Sequence, residues 1–107
     1  MADSIPIQLK KGVLELCVLA LLSRGDGYAY DIASQLAEGI EMGEGTIYPL
    51  MRRLQDEGLV ATYLSESPSG PPRKYYRLTE TGRQSLINQK SDWTNFSRAV
   101  NAILGDG

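Results

Sequence analysis

Residues 44–60 read EGTIYPLMRRLQDEGLV, and most of the fold follows from how this stretch is read. Ile47, Leu50, Met51 and Leu54 recur at i, i+3, i+4 and i+7, the spacing of one face of a helix, and Gly58 supplies the stop. Pro49 looks out of place in such a helix until its position is counted. The first turn of a helix has no intrahelical partners for its N–H groups, so a proline there breaks nothing, whereas further in it costs about 3 kcal/mol. Thr46 as the N-cap puts Pro49 at the third helical position, although a residue before proline, here Tyr48, is biased away from helical angles. A helical wheel then places Tyr48, Pro49, Arg52, Arg53 and Asp56 opposite the apolar stripe.

Outward from this helix, the segment KKGVLELCVLALL predicts a largely buried helix from Leu9 to about Ser23. It imitates the start of a signal peptide, but Glu15 interrupts the apolar run and no cleavage site follows. It is also too short to span a bilayer. After the turn RGDG, residues Ala29, Ala33, Leu36, Ala37 and Ile40 mark a second helix from Tyr28 to Ile40. Beyond Gly58, Leu59 to Leu64 and Lys74 to Thr79 read as two strands of a hairpin. The SESPSGPPR between them, rich in serine and proline, is expected to form a long tip that leaves the ladder. Alternation assigns Tyr76 and Leu78 to the core face. Thr79 is placed to cap a final helix from Glu80 to about Leu104, on which Leu86, Trp93 and Val100 lie seven apart, with Phe96 and Ile103 in the seam between. A helix of that length, about 37 Å, outruns so small a body, which favours a seam shared with a second copy.

Composition sets the bounds. A chain of 107 residues holds one modest core, so help from a second subunit fits its size. Its formal charge of -2 carries no global attraction for nucleic acid or membranes, and any anionic partner must be met by a local patch. With no histidine and one cysteine, Cys17, the chain offers neither a histidine-based zinc site nor an internal disulfide. A reducing, cytoplasmic setting is expected, with Cys17 as a core residue and no cofactor. No paired acid and base or phosphate loop suggests an enzyme.

The order helix, helix, helix, strand, tip, strand predicts a mainly α fold with a small β-hairpin: a winged helix-turn-helix over residues 1–79, then a dimerisation helix over 80–107. In that architecture the third helix enters the DNA major groove. Tyr48, Arg52 and Arg53 suit guanine edges, phosphate or a thymine methyl, and Arg73, Lys74 and Arg77 on the hairpin suit phosphate or the minor groove. The bland alternatives are surface pairs at i, i+4, Arg52 with Asp56 and Arg53 with Glu57, and a charged strand edge that discourages pairing. In both pairs the cation comes first, the poorer orientation. A protein-interaction module that kept the fold without DNA binding is the other functional class, favoured by the acidic overall charge.

GTIYPLMRRLQDEGLV followed by GPPRKYYRLTETGR resembles the signature of PadR-family transcriptional regulators, and GYAYDIASQL resembles the second helix of that family. The resemblance implies a homodimeric repressor on a palindromic operator. Thr46, Tyr48, Pro49, Arg52 and Arg53 match recognition-helix positions, and Ser69, Gly70, Arg73 and Lys74 match the wing. Tyr28 and Tyr30 match aromatic positions where phosphate contact and core packing are both open. SDWTNFSRAVNAIL resembles the last helix of the multidrug-sensing LmrR-type branch. That likeness implies Trp93 in a cavity at the dimer interface, stacking on planar, often cationic molecules, with Leu9, Leu16 and Gln89 beside it and Glu15 as a negative charge. Trp93 as a plain seam residue is the other reading.

Overall fold

The computed structural model describes residues 13–40 and 42–105. Helix α1, Leu14–Arg24, turns Leu14, Val18, Leu19 and Leu22 inward. A two-residue strand β1, Gly27–Tyr28, precedes helix α2, Ala29–Ile40, and helix α3 runs Glu44–Asp56. Strands β2, Val60–Ser67, and β3, Gly70–Leu78, form the hairpin, and helix α4, Glu80–Leu104, ends the chain. The sheet is antiparallel in the order β1-β3-β2.

One core serves all of these elements, with Val18, Leu19, Ile32, Ile47, Met51, Leu54 and Val60 almost fully buried at its centre. Tyr76 and Leu78 close it from the sheet, as alternation along β3 requires. On α2 the buried residues are Ile32, Ala33 and Leu36, while Ala37 is exposed and Ala29 and Ile40 lie at the margin. Cys17 sits half-buried against the core, and burial raises its thiol above the usual range.

The exit from α3 is a glycine-dependent cap. Gly58 takes φ +80°, its N–H reaches the Gln55 carbonyl at 3.0 Å, and the Leu59 N–H reaches the Leu54 carbonyl at 2.9 Å. These are the paired bonds of a Schellman motif, and the flanking Leu54 and Leu59 are both buried. Thr79 caps α4 as expected, its Oγ1 accepting from the Gly82 N–H at 3.0 Å while its hydroxyl donates to the Gly58 carbonyl at 2.7 Å. One side chain therefore ties the end of the third helix to the start of the fourth. Gly82 is buried at this junction, where a methyl group in its place would collide with the Leu59 carbonyl oxygen.

Three boundaries differ from the sequence expectation. Helix α3 begins at Glu44 with Gly43 as N-cap, so Thr46 lies inside the first turn and Pro49 is the sixth helical residue. The Thr46 and Ile47 N–H groups both reach the Gly43 carbonyl, at 3.1 and 3.2 Å, and hold that earlier turn. Pro49 consequently leaves the Gly45 carbonyl without a helical donor, on an exposed face where water can serve it. Tyr28 belongs to β1, where it pairs with Tyr75, and not to α2. The hairpin tip is short, because the ladder continues through Ser65↔Arg73 and Ser67↔Gly70 with an irregularity between. Pro71 and Pro72 face the single residue Glu66 across that slip, a bulge in which a missing N–H costs little.

Candidate nucleic-acid interface

The exposed side of α3 is built by its helical geometry. Tyr48, Pro49 and Arg52, at i, i+1 and i+4, line an open notch of about 300 Å³ on the side away from Ile47, Met51 and Leu54. Thr46 is exposed one turn earlier, and Tyr48 keeps 41% of its surface open. Arg53, grouped with these residues on the wheel, takes a different role. Its Nη2 donates to Glu15 Oε1 on α1 at 3.0 Å and its Nη1 to Glu57 Oε2 at 3.1 Å. These hydrogen bonds, to Glu15 first and then Glu57, push the Arg53 guanidinium further above its already high range. The i, i+4 pair of Arg53 with Glu57 therefore forms despite its unfavourable order, and Glu15, thirty-eight residues distant, reinforces it.

On the hairpin, Ser69 stands in the turn, Gly70 opens β3, and Arg73 and Lys74 are exposed. Strand alternation sends Arg73, Tyr75 and Arg77 to one face of the sheet and Lys74, Tyr76 and Leu78 to the other. Lys74 Nζ lies 5.6 Å from the Tyr76 ring centre, while the Arg73 guanidinium lies 4.8 Å over the Tyr28 ring. Tyr28, Tyr75 and Tyr63 make a row across all three strands, with ring centres 5.5 and 5.7 Å apart, and Tyr30 stacks on Tyr28 at 6.4 Å. Tyr28 is thus a packed member of an aromatic row, whereas Tyr30 is 57% exposed beside it. Tyr63 donates its hydroxyl to Asp26 Oδ2 at 2.8 Å, and that bond pushes the phenol above its ordinary value. Sequence reading missed this row, because β1 is too short to show a period.

The residues singled out around Trp93 separate into two places. Leu16, Gln89 and Trp93 do meet, joined by Val13, Asp92 and Phe96, around an open groove of about 310 Å³ between α1 and α4. Glu15 faces a neighbouring cleft of about 440 Å³ lined by Leu14, Thr46, Pro49, Leu50, Arg53 and Gln89. Both of its oxygens are engaged, Oε1 by Arg53 and Oε2 by Gln89 Nε2 at 2.6 Å, so it is not a spare charge beside the indole. The acid in the Trp93 groove is Asp92, adjacent in sequence and passed over. Leu9 lies outside the described residues.

Along α4, Leu86 packs partly against its own core, and the open stripe begins beyond it. Trp93 is 45% exposed, Phe96 63%, Ile103 85% and Leu104 72%, with Val100 partly covered between them. Among the described residues no helix is long and apolar enough to cross a membrane, and no cluster of His, Cys, Asp and Glu suits a metal ion.

Three helices around one core, a β-hairpin beyond the third, and an open face on that third helix define a winged helix-turn-helix protein. Residues 18–88 match the Transcriptional regulator PadR-like family, and the chain belongs to that family, whose members are transcriptional regulators and not enzymes. A PadR-like transcriptional regulator from Bacillus cereus strain ATCC 14579 is 39% identical with a TM-score of 0.86, over 94% of this chain and 99% of that one. The negative transcriptional regulator PadR of Bacillus subtilis is 33% identical over 87 residues, which are 76% of this chain and 44% of that protein. A structure of Bacillus subtilis PadR in complex with operator DNA matches with a TM-score of 0.65 and 30% identity, over 72% of this chain and 46% of that one. The chain thus spans less than half of the Bacillus subtilis protein, and nearly all of the Bacillus cereus one.

Proposed function

We propose that the chain is a homodimeric repressor that binds a specific operator, reading the major groove with α3 and the flanking backbone with the β2–β3 hairpin. The observation that carries this is the notch of Tyr48, Pro49 and Arg52 on the exposed side of α3, with Arg73 and Lys74 supplied by the wing of the same scaffold. Arg52 presents its fork to guanine edges or phosphate, and Tyr48 and Thr46 stand at the front of the helix. A local cationic face on a chain of net charge -2 also limits non-specific attraction, so the specific contacts decide where it binds. That a similar fold in Bacillus subtilis PadR is found on operator DNA supports the same use here. Two copies, joined through the Trp93, Phe96, Val100 and Ile103 stripe, would present two α3 helices to a palindromic site, in the cytoplasm.

Titration of a duplex from the region upstream of its own gene, across a salt series, tests the reading. Arg52→Ala should weaken specific binding by about 1–3 kcal/mol while leaving random duplex nearly unchanged. Equal loss on both duplexes would place Arg52 on phosphate. Uniform weak binding of the unaltered protein to every sequence would refute operator recognition.

The groove of Leu16, Gln89, Asp92, Trp93 and Phe96 supports a second element of the same reading, a planar aromatic cation stacked on the indole with Asp92 as its counter-charge. The chain has one tryptophan, so its fluorescence reports the groove directly. A cationic dye should quench it and lower operator affinity. Absence of quenching at tens of micromolar dye, equivalent to about 6 kcal/mol, would leave Trp93 as packing.

A further inference from the structure

Three helices meet at one carboxylate. Glu15 on α1 accepts from Arg53 Nη2 of α3 through Oε1, at 3.0 Å, and from Gln89 Nε2 of α4 through Oε2, at 2.6 Å. Its side chain is only 24% exposed, against 50% for Arg53, so the acid is the fixed member of the pair and the guanidinium the movable one. Gln89 also touches Ser85 Oγ at 2.9 Å, and it lines both the cleft that holds Glu15 and Arg53 and the groove that holds Trp93. Among the described residues, no other is common to those two spaces.

We propose that Glu15 is a positioning residue of the recognition helix, for which Gln89 and Arg53 compete. The proposal rests on the DNA-binding reading above. A carboxylate can accept a guanidinium through both oxygens, in a planar two-bond fork, or share its oxygens between two donors. While Gln89 occupies Oε2, Arg53 is held by one bond to Glu15 and, through Nη1, by one to the exposed Glu57 at 3.1 Å, and these two single bonds are what a DNA phosphate has to displace. When Gln89 turns away toward the Trp93 groove, Oε2 is opened to Arg53, the fork closes, and the cation is withdrawn from the DNA. Occupancy of the α4 groove is thereby linked to the charge that α3 offers, with no movement of the core. Arg53 differs in this from Arg52, which lines the open notch on α3.

The test measures affinity for the upstream duplex and for a random duplex against salt, with E15Q, Q89L and the double variant. Removing the acid leaves Arg53 only its exposed i, i+4 partner Glu57, a weak tether that a phosphate can displace, so E15Q should bind about eightfold tighter at 0.1 M salt, with a salt slope steeper by about 0.9. Q89L, which opens Oε2 to Arg53, should act in the opposite sense, with weaker binding and a shallower slope. In the E15Q background Q89L should be silent. An unchanged slope in E15Q, or effects of E15Q and Q89L that simply add, would overturn the relay. If E15Q fails to fold, R53A replaces it: Q89L should then be silent in the R53A background, and a persisting effect would overturn the relay. Failure of operator recognition is seen separately, as equal binding of the unaltered protein to both duplexes. The phosphate contact of Arg53 is independent of sequence, and the slope on random duplex still decides the relay.

Discussion

Replacing Phe96 by alanine removes the most central of the open apolar groups on α4. A phenylalanine side chain offers roughly 200 Å², and at 63% exposure about 125 Å² of it is open in the single chain. At ~25 cal/mol per Å² this is about 3 kcal/mol for one ring. A two-fold seam uses the ring twice, for about 6 kcal/mol, but interfaces return only part of their area as affinity, and half is a fair allowance. The expected loss is therefore about 3 kcal/mol, roughly a hundredfold in the dimer dissociation constant. Sedimentation equilibrium over a wide concentration range measures this directly, since the protomer mass is 11.8 kDa. Ile87→Ala is the control, because Ile87 is 55% exposed but lies off the stripe of Trp93, Phe96, Val100 and Ile103. A Phe96→Ala protein with an unaltered dimer constant, or an unaltered protein that stays monomeric at every concentration, would refute the seam.

Gly82→Ala should destabilise the fold by about 1–3 kcal/mol in thermal or urea unfolding, because the new methyl meets the Leu59 carbonyl and Leu78 Cδ1 where α4 leaves the sheet; a change within experimental error would mean that this junction yields. The Tyr63 phenol, held up by its bond to Asp26, keeps its proton beyond the usual tyrosine range. Its stabilising contribution is full below the unfolded value of about 10 and is lost as pH rises through the higher folded value. A near-ultraviolet titration should lose that late component in Tyr63→Phe and shift it downward in Asp26→Asn, and a titration identical in Asp26→Asn would remove the assigned cause. Burial raises the Cys17 thiol, so alkylation at about pH 8 should run well below the rate of the unfolded chain. Equal rates would show that Cys17 is open to solvent.

Periodicity alone was enough for α3 and α4, which carry regular sets of apolar positions, and simple alternation of Tyr76 and Leu78 was enough for the core face of β3. Thr79, three residues ahead of Gly82, was legible as a cap for the same reason: it is a local device with a local signal. The start of α3 was not, because Gly43 caps it through the backbone alone and leaves no side-chain signature. Proline read as a boundary marker pointed three residues too late, as a helix with an exposed face can carry Pro49 in its second turn. The wing was misjudged from composition, since Pro71 and Pro72 stay in the strand through a bulge that no local pattern announces.

What the sequence by itself determined is the set of elements and the identity of the exposed groups on α3, because helical and strand spacing settle which residues share a face. Which of those groups are committed within the chain was decided only by tertiary structure. Arg53 and Arg52 are neighbours of the same type on the same helix, yet Arg53 meets Glu15 and Glu57 while Arg52 lines the open notch. Glu15 stands apart from Trp93 for the same reason, its two oxygens taken by residues 38 and 74 positions away. Charge pairing depends on distances of a few ångströms between segments far apart in the chain, and only the packing of α1, α3 and α4 on one core sets those distances.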